Sequence, residues 1–460
     1  MTTEAPLVWF TDRTRFETGT GRCARRRYLG FHAGPTGYGL APVGESLPLV
    51  TGLGFHEGTE ELDRYLLDHD ALPPDDVVRD VVRRMVAQYQ QKCDASGYRG
   101  ILAGPHTGET ITEQGALLAG MVWAYRLQVL PWLHQQFKVL AVEQPKHHFL
   151  SCTCGAGPLL LADHVARGCE GIVLMQRQDL LCESRTDRHL AYFEKKTTGW
   201  DSDAWAEQWE TKPQLALGTL DTLRDFGREV TELYIIGINK GSRRRPSGAG
   251  PEERKLQMSA LCYGYCKPGN PPLQTDDWLP AYEWVQPDGT TKRASRAHRR
   301  QGVWTLGQSD WAVMTSLRAQ YPGVPVEELW VRHFVPQAVL EKVCFVLGPM
   351  NRQDQQLQSL RRSMLAEEER WRRALWELYE HPSGDYATHL DALVPQAWTC
   401  RPFGKEHQCE FVPICFGSIP LDQAISSGHY KPRVPHHRAE LDAAVARGLL
   451  PAEGIAEEAE

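Results

Sequence analysis

Two acidic residues and a lysine are spaced along this chain as a metal-dependent phosphodiesterase requires. Asp179 comes fifteen positions before Glu194, which follows the apolar run 190–193, and Lys196 comes two positions later. Because side chains alternate along a strand, Glu194 and Lys196 share one face. Two carboxylates suit Mg²⁺ or Mn²⁺, and a lysine beside them orients an attacking water. We expect the backbone carbonyl of Lys195 to point at the same metal.

An acid-x-lysine triplet alone is common, but its surroundings here resemble the RecB-like branch of the PD-(D/E)XK nuclease superfamily. Thr197 follows the lysine as it often does in that branch, and Gln214 opens the helical run QLALGTLDTL. The resemblance implies an α/β fold, with a mixed central sheet flanked by helices. It also implies that Asp179, Glu194 and Lys196 are catalytic and that Gln214 supports the lysine or a phosphate.

A histidine upstream is a second candidate ligand. His56 follows Gly52 and Gly54 and is expected on the first turn of a helix, where its imidazole could lie beside a metal. RecB-like nucleases carry a similar glycine-x-x-x-histidine with a glutamate four residues on. The resemblance therefore implies that His56 binds the metal and that Glu60 supports it. It also implies a supporting position for Glu143, near the end of the expected strand 137–144.

The chain has twelve cysteines, and the pattern at its C-terminal end indicates a metal cluster rather than disulfides. Cys400, Cys409 and Cys415 are spaced by nine and six positions, and Cys23 is the candidate for a fourth thiolate. Four thiolates suit a [4Fe-4S] cluster, and they suit Zn²⁺ as well.

An early cysteine with a C-terminal triplet ending in C-x5-C resembles the iron–sulfur nucleases of the RecB-like branch. These include AddB-type helicase–nuclease subunits, CRISPR-adaptation nucleases and phage exonucleases. The resemblance implies a [4Fe-4S] cluster that ties the two chain ends together. The gap from Cys400 to Cys409 is longer here than the corresponding gap in the AddB type.

Overall charge does not indicate nucleic-acid binding, since the 460 residues carry a formal net charge of −7. Local basic density does occur, at Arg25 to Arg27 with Arg22, at Arg243 to Arg245, and from Lys292 to Arg300. Each cluster is either a DNA contact or a solvated loop.

Bulk features limit the other expectations. No apolar segment is expected to reach the roughly 18–20 residues of a membrane span, and no secretory leader is evident, which predicts a cytoplasmic protein without a membrane partner. The chain lacks a Walker-type phosphate loop, so it is not expected to use ATP.

The elements that must position these residues are read from hydrophobic periodicity. Residues 34–54 read as loop, and the chain from 326 onward reads as helical, including a long amphipathic helix. Two helices are expected, at about 74–93 and 112–130. The expected strands are a hairpin of 137–144 with 147–150, followed by 171–175, 190–194 and 232–240.

Four regions follow from this interpretation. Residues 1–240 are expected to hold the first cluster cysteine, a helical part and the nuclease core. Residues 241–325 are expected to form an insertion that could face DNA. Residues 326–430 are expected to form a helical section with the iron–sulfur cysteines, and residues 431–460 an acidic tail.

The sequence thus predicts a metal-dependent DNA nuclease, an exonuclease acting on single strands or duplex ends. Two alternatives stay open: a non-catalytic DNA-binding protein with the same fold, and a subunit of a recombination, phage or defence complex that acts with a helicase or another partner.

Overall fold

The computed structural model describes part of the chain. The described residues are 8–21, 23–34, 39–44, 47–98, 111–153, 171–198, 205, 209, 212–240, 261, 283–285, 291–293, 299–300, 303–304, 308–335, 337–351, 354–380 and 409–434.

A six-stranded mixed sheet forms the centre of the molecule. Its strands are β1 (Val8–Asp12), β3 (Phe137–Cys152), β4 (Gly171–Ser184), β5 (Leu190–Thr198), β6 (Val230–Asn239) and β11 (Cys344–Asn351). The expectation of an α/β fold with a mixed central sheet and flanking helices is confirmed.

Strand β4 has an unusual set of neighbours. Along one edge β3 pairs antiparallel with its whole length. The other edge is shared: β1 pairs in parallel with residues 171–175, and β5 pairs antiparallel with residues 180–183. Residues 176–179 therefore have no partner strand on that side among the described pairings. The sheet opens there, between the end of β1 and β5.

Alternating apolar residues give the sheet two buried faces. One face, with Leu180, Phe193 and Ile236, packs on a layer of helices, and the other, with Leu181 and Tyr192, forms a separate core. The helices of the first layer are α3 (Leu47–His69), α4 (Asp75–Ala95), α5 (Ile111–Ala124) and α6 (Leu130–Gln136), with a π-helical turn, Tyr125–Val129, between the last two.

Helix α3 begins much earlier than expected. His56 lies in its interior rather than on its first turn, and the segment 34–54 contains β2 (Leu40–Pro42) and the start of α3 rather than loop alone. Glycines inside α3 allow close packing. A Cβ at Gly54 would lie 2.8 Å from Leu118, and one at Gly58 would lie 2.5 Å from Met85.

Three other expected elements need correction. Residues 137–152 form one long strand that pairs with β4, not a hairpin folded on itself. The strands β1 and β11 were not expected, since β1 is short and β11 lies within a chain section that reads as helical. The expected long helix is confirmed as Asp354–Glu380.

The remaining elements are short or peripheral. They are α1 (Arg13–Gly21), α2 (Ala24–Phe31), α7 (Pro213–Gly218), α8 (Thr222–Phe226), β7 (Glu283–Val285), β8 (Thr291–Arg293), β9 (Arg299–Arg300), β10 (Val303–Trp304), α9 (Gln308–Gln320), α10 (Val326–His333), α11 (Gln337–Val343), α12 (Asp354–Glu380), α13 (Val412–Cys415), a 3₁₀ turn (Leu421–Gln423) and β12 (Tyr430–Pro432). Most of the expected insertion 241–325 and of the tail 431–460 lies outside the described residues, and the four region boundaries stay predictions.

One helical stretch corrects the expectation about membrane spans. Residues Gln114–Gln136 are long and apolar enough to cross a bilayer by length and composition, and 67% of the stretch is buried inside the protein. A core helix of a globular protein can have the same length and composition, so the stretch indicates a membrane segment only weakly.

A buried ion pair joins the two ends of the chain. Arg27 on α2 and Glu368 on α12 lie 2.6 Å apart with both side chains fully buried, and the Arg27 guanidinium also stacks on Trp371. Next to them, Arg26 pairs with Glu410 at 2.9 Å. These arginines of the first basic cluster therefore hold the fold together rather than forming a free cationic surface.

Replacing Glu368 with Gln should destabilise the protein strongly, because the charge of Arg27 would stay buried without its partner. We expect a loss of about 3–5 kcal/mol in the free energy of unfolding. Urea unfolding measures it. The control is Glu369→Gln, one residue along the same helix but exposed, which should change stability by less than about 0.5 kcal/mol. Equal unfolding of the two variants would contradict the importance of the pair.

Candidate metal centre and active site

The candidate site lies at the opening of the sheet, where β4 and β5 separate. Their pairing ends at Leu180 and Phe193, just before Asp179 on one strand and Glu194 on the other. The Lys195 amide donates a 2.8 Å hydrogen bond to Asp179 Oδ2 and so fixes that carboxylate at the end of the pairing. Glu143 on β3 and His56 on α3 approach Asp179 from the other side.

Three of the expected site residues form a group with the geometry of a metal site. Ligand atoms of His56, Glu143 and Asp179 all lie within 4.8 Å of one another. His56 Nδ1 is 3.7 Å from Glu143 Oε1 and 4.0 Å from Asp179 Oδ2. Glu143 Oε1 is buried and accepts no hydrogen bond. A buried carboxylate oxygen without a donor is costly, and a cation would satisfy it.

The backbone at Glu143 is strained in a way that serves this group. Val142 pairs with Leu180 and Gln144 pairs with Gln178, which places Glu143 across from Asp179. Its φ of 46° lies in the left-handed region, which a glutamate inside a strand rarely adopts. Such strain costs about 1–3 kcal/mol and often occurs at functional sites.

Glu194 and Lys196 form a tight pair beside this group. Lys196 Nζ lies 2.5 Å from Glu194 Oε1, and the same carboxylate accepts hydrogen bonds from the Tyr192 hydroxyl and from the Gln214 side-chain amide. Gln214 reaches it from the first turn of α7. The structure thus brings all four expected catalytic residues to one end of β5.

The charges of the two acids are coupled. Burial and the negative charge of Asp179 raise the pKa of Glu194, and the pair with Lys196 only partly offsets them. Burial also acts to raise the pKa of Asp179, but the positive charges of Lys196, His56 and Lys195 outweigh it and lower the pKa overall. Asp179 is therefore the more strongly ionised of the two acids and a suitable cation ligand.

Lys195 points to the opposite face of β5 and has a partner that the sequence did not suggest. Its Nζ lies 2.7 Å from Asp63 Oδ2, both side chains are fully buried, and Tyr125 donates a 2.6 Å hydrogen bond to Asp63 Oδ1. Burial acts to lower the pKa of Lys195, but Asp63, Glu143 and Asp179 outweigh it and raise the pKa, so this lysine stays charged.

Asp63 could have been found from spacing. It lies seven positions after His56, and residues seven apart on a helix share one face. The Lys195 ammonium is also 3.9 Å from Glu143 Oε1. The buried cation therefore lies between Asp63 and the candidate metal ligands.

Glu60 lies away from the group. Its carboxylate pairs with Arg64 at 2.6 Å on the outer surface of α3. Glu60 therefore makes a local surface ion pair, while His56, four residues earlier, lies beside Glu143 and Asp179.

The expected cluster cysteines are only partly described. Cys400 lies outside the described residues, while Cys23, Cys409 and Cys415 are half-buried and unbridged. Cys23 caps α2, and Cys409 and Cys415 border the small core that packs on α2. Within the part of the chain that the structure covers, these three thiols do not form a close ligand group. The cluster stays a prediction, although the chain ends that it would join do meet.

Comparison of the chain with protein-family models and with curated protein sequences finds no significant match.

Replacing Asp63 with Asn should weaken divalent-metal binding, although Asp63 does not reach the candidate ligands. Without its partner, the Lys195 ammonium is expected to turn toward Glu143 and compete with a cation. We expect at least about a tenfold rise in the Kd for Mn²⁺, since losing a buried charge partner costs several kcal/mol. Isothermal titration calorimetry measures it.

The matched control is Asp68→Asn, which removes the same charge from an exposed position of α3. It should bind Mn²⁺ as the wild type does. An unchanged Kd in folded Asp63→Asn protein would show that the buried pair does not influence the metal group.

Proposed function

We propose that this protein is a divalent-metal-dependent nuclease that hydrolyses phosphodiester bonds of DNA. The observation that carries the proposal is the convergence of His56, Glu143 and Asp179 within 4.8 Å, next to the Glu194–Lys196 pair. One nitrogen and two carboxylate oxygens suit Mg²⁺ or Mn²⁺. We further infer that the sheet is a PD-(D/E)XK core of the RecB-like type, as the sequence motifs imply.

His56, Glu143 and Asp179 would hold the ion, with Glu194 beside them and the Lys195 carbonyl a further expected ligand. A bound divalent ion supplies a lower pKa for an attacking water and neutralises charge that develops on the phosphate. The unsatisfied oxygen of Glu143 supports its place in this set more strongly than its sequence position does.

Lys196 would orient the attacking water and neutralise charge on the phosphate. Its ammonium is held at the end of β5 by Glu194, whose carboxylate is held in turn by Tyr192 and Gln214. Because two other donors fix this carboxylate, the lysine is placed before substrate arrives. Such preorganisation lowers the barrier of a charged transition state.

A [4Fe-4S] cluster held by Cys23, Cys400, Cys409 and Cys415 is the second part of the proposal. The supporting observation is that α2, directly after Cys23, packs against the segment that holds Cys409 and Cys415. A cluster there would be structural and would lie apart from the hydrolytic site.

Lys196→Ala and Glu194→Gln should each abolish cleavage of end-labelled DNA while the protein stays folded. We expect at least about a hundredfold loss of kcat, the usual contribution of a positioned catalytic group. The assay uses single-stranded and duplex DNA with Mg²⁺ or Mn²⁺ and protein purified without air. Lys212→Ala is the control, since Lys212 is exposed at the start of α7, and it should cleave normally.

Retained cleavage in Lys196→Ala would refute its catalytic role. Folded wild-type protein that binds DNA but never cleaves it would instead favour a non-catalytic or partner-dependent subunit.

Cys409→Ala should remove the brown colour of the cluster and lower the stability of the protein, with a smaller effect on cleavage. Wild-type protein purified without air should be brown, with about four irons and four sulfides per chain expected for a cubane. The variant should lose both and unfold at a lower temperature. Cys93→Ala, at a buried position of α4 far along the chain from the four thiols, should keep its iron. A colourless, iron-free wild type would refute the cluster.

A further inference from the structure

A cavity of about 180 Å³ lies beside Glu194. It fills the opening of the sheet between the end of β1 and β5. The residues that carry the argument are Asp12, Arg13, Gln176, Glu194 and Gln214, which line it from β1, α1, β4, β5 and α7. None of the three residues of the metal group lines it.

The two acids in the cavity wall are already neutralised. Asp12 accepts a 2.9 Å hydrogen bond from the Arg15 backbone amide, and the Arg15 side chain lies 3.5 Å from its other oxygen. Glu194 is paired with Lys196. Neither acid therefore needs a cation from the cavity.

Two donor side chains in the wall, Arg13 and Gln176, lack such partners, whereas the Tyr192 hydroxyl and the Gln214 amide donate to Glu194. Arg13 makes no ion pair or hydrogen bond with the part of the chain that the structure describes. The side-chain nitrogen of Gln176 is buried and donates to nothing in that part. Arg13 also begins α1, so the first turn of a nine-residue helix faces the same space. A cation and an unsatisfied amide favour an anion with several acceptor oxygens.

The size of the cavity suits a single phosphate group. Sites that enclose a drug-sized molecule are larger, roughly 300–1,000 Å³. An internal phosphate of a strand would need room for the chain on both of its sides. A phosphate that ends a strand needs room on one side only and carries more charge.

We propose that this cavity binds the phosphate monoester at one end of a nucleic-acid strand, and that Arg13 and Gln176 recognise it. The inference rests on the proposed function, since it makes the cavity a part of that substrate site. With Glu194 as the common wall, an end phosphate held here sets which bond of the strand reaches Asp179 and Lys196. The protein would then select phosphorylated ends.

The test is binding without cleavage, measured by fluorescence anisotropy in EDTA. The probes are three single-stranded oligonucleotides of one sequence, labelled on a central base, with a 5′-phosphate, a 3′-phosphate or hydroxyls at both ends. Wild-type protein should bind one of the two phosphorylated probes about tenfold more tightly than the hydroxyl probe, as one charge-assisted contact provides. Which probe is preferred identifies the end.

Arg13→Gln should remove this preference, so that the variant binds the three probes about equally. Arg83→Gln, which removes the same charge from an exposed position of α4, should keep it. Gln176→Leu is the second variant and should reduce the preference. Equal binding of all three probes to the wild type, or a full preference in Arg13→Gln, would overturn the proposal.

Cleavage by the wild type in Mg²⁺ separates the two proposals. Cleavage without an end preference would overturn the phosphate site and leave the nuclease. An end preference without cleavage would support the phosphate site and count against the nuclease.

Discussion

The positions of both candidate sites depend on one constraint: two strands, β1 and β5, share a single edge of β4. β3 occupies the other edge completely, so β1 and β5 must divide what is left, and residues 176–179 lie between them. A four-residue gap inside a sheet would normally expose backbone and polar side chains at a cost. Here the gap is where Asp179 turns toward the metal group and where Gln176 faces the cavity. The interruption of the ladder thus creates both candidate sites.

The second organising fact is the alternation of side chains along β5. Two consecutive lysines point to opposite faces: Lys195 is buried against Asp63 in the helical layer, and Lys196 is paired with Glu194 at the open end. The first is fixed by complete burial. The second keeps a quarter of its side chain exposed and can meet a substrate. The same residue type therefore supports the structure on one face and is available for chemistry on the other.

The sequence allowed the motif residues and the sheet class to be predicted, because strand periodicity and residue chemistry are local. It did not allow the contacts between these residues to be found. Asp63 shares a helix face with His56, but no local pattern connects it to Lys195, 132 positions along the chain. Glu143 was expected near the site, but its positive φ was not, since a glutamate does not signal one. The start of α3 was missed because glycines suggest loop, whereas Gly54 lies inside the helix and lets α5 approach closely. The strand β11 was missed because it lies within a section of the chain that reads as helical.

The contacts between the chain ends also determine an order of assembly. The pairing of β2 with β12 joins residues 40–42 to residues 430–432, and Arg27 meets Glu368 across 341 positions. On a ribosome, α2 therefore emerges long before the residues that bury it, while β3, β4, β5 and β6 pair with one another within residues 137–239. Long-range contacts of this kind form late and slowly. During synthesis, Arg27 consequently lacks its acidic partner until Glu368 has emerged. A nascent chain that ends before β12 cannot form the pairing of β2 with β12.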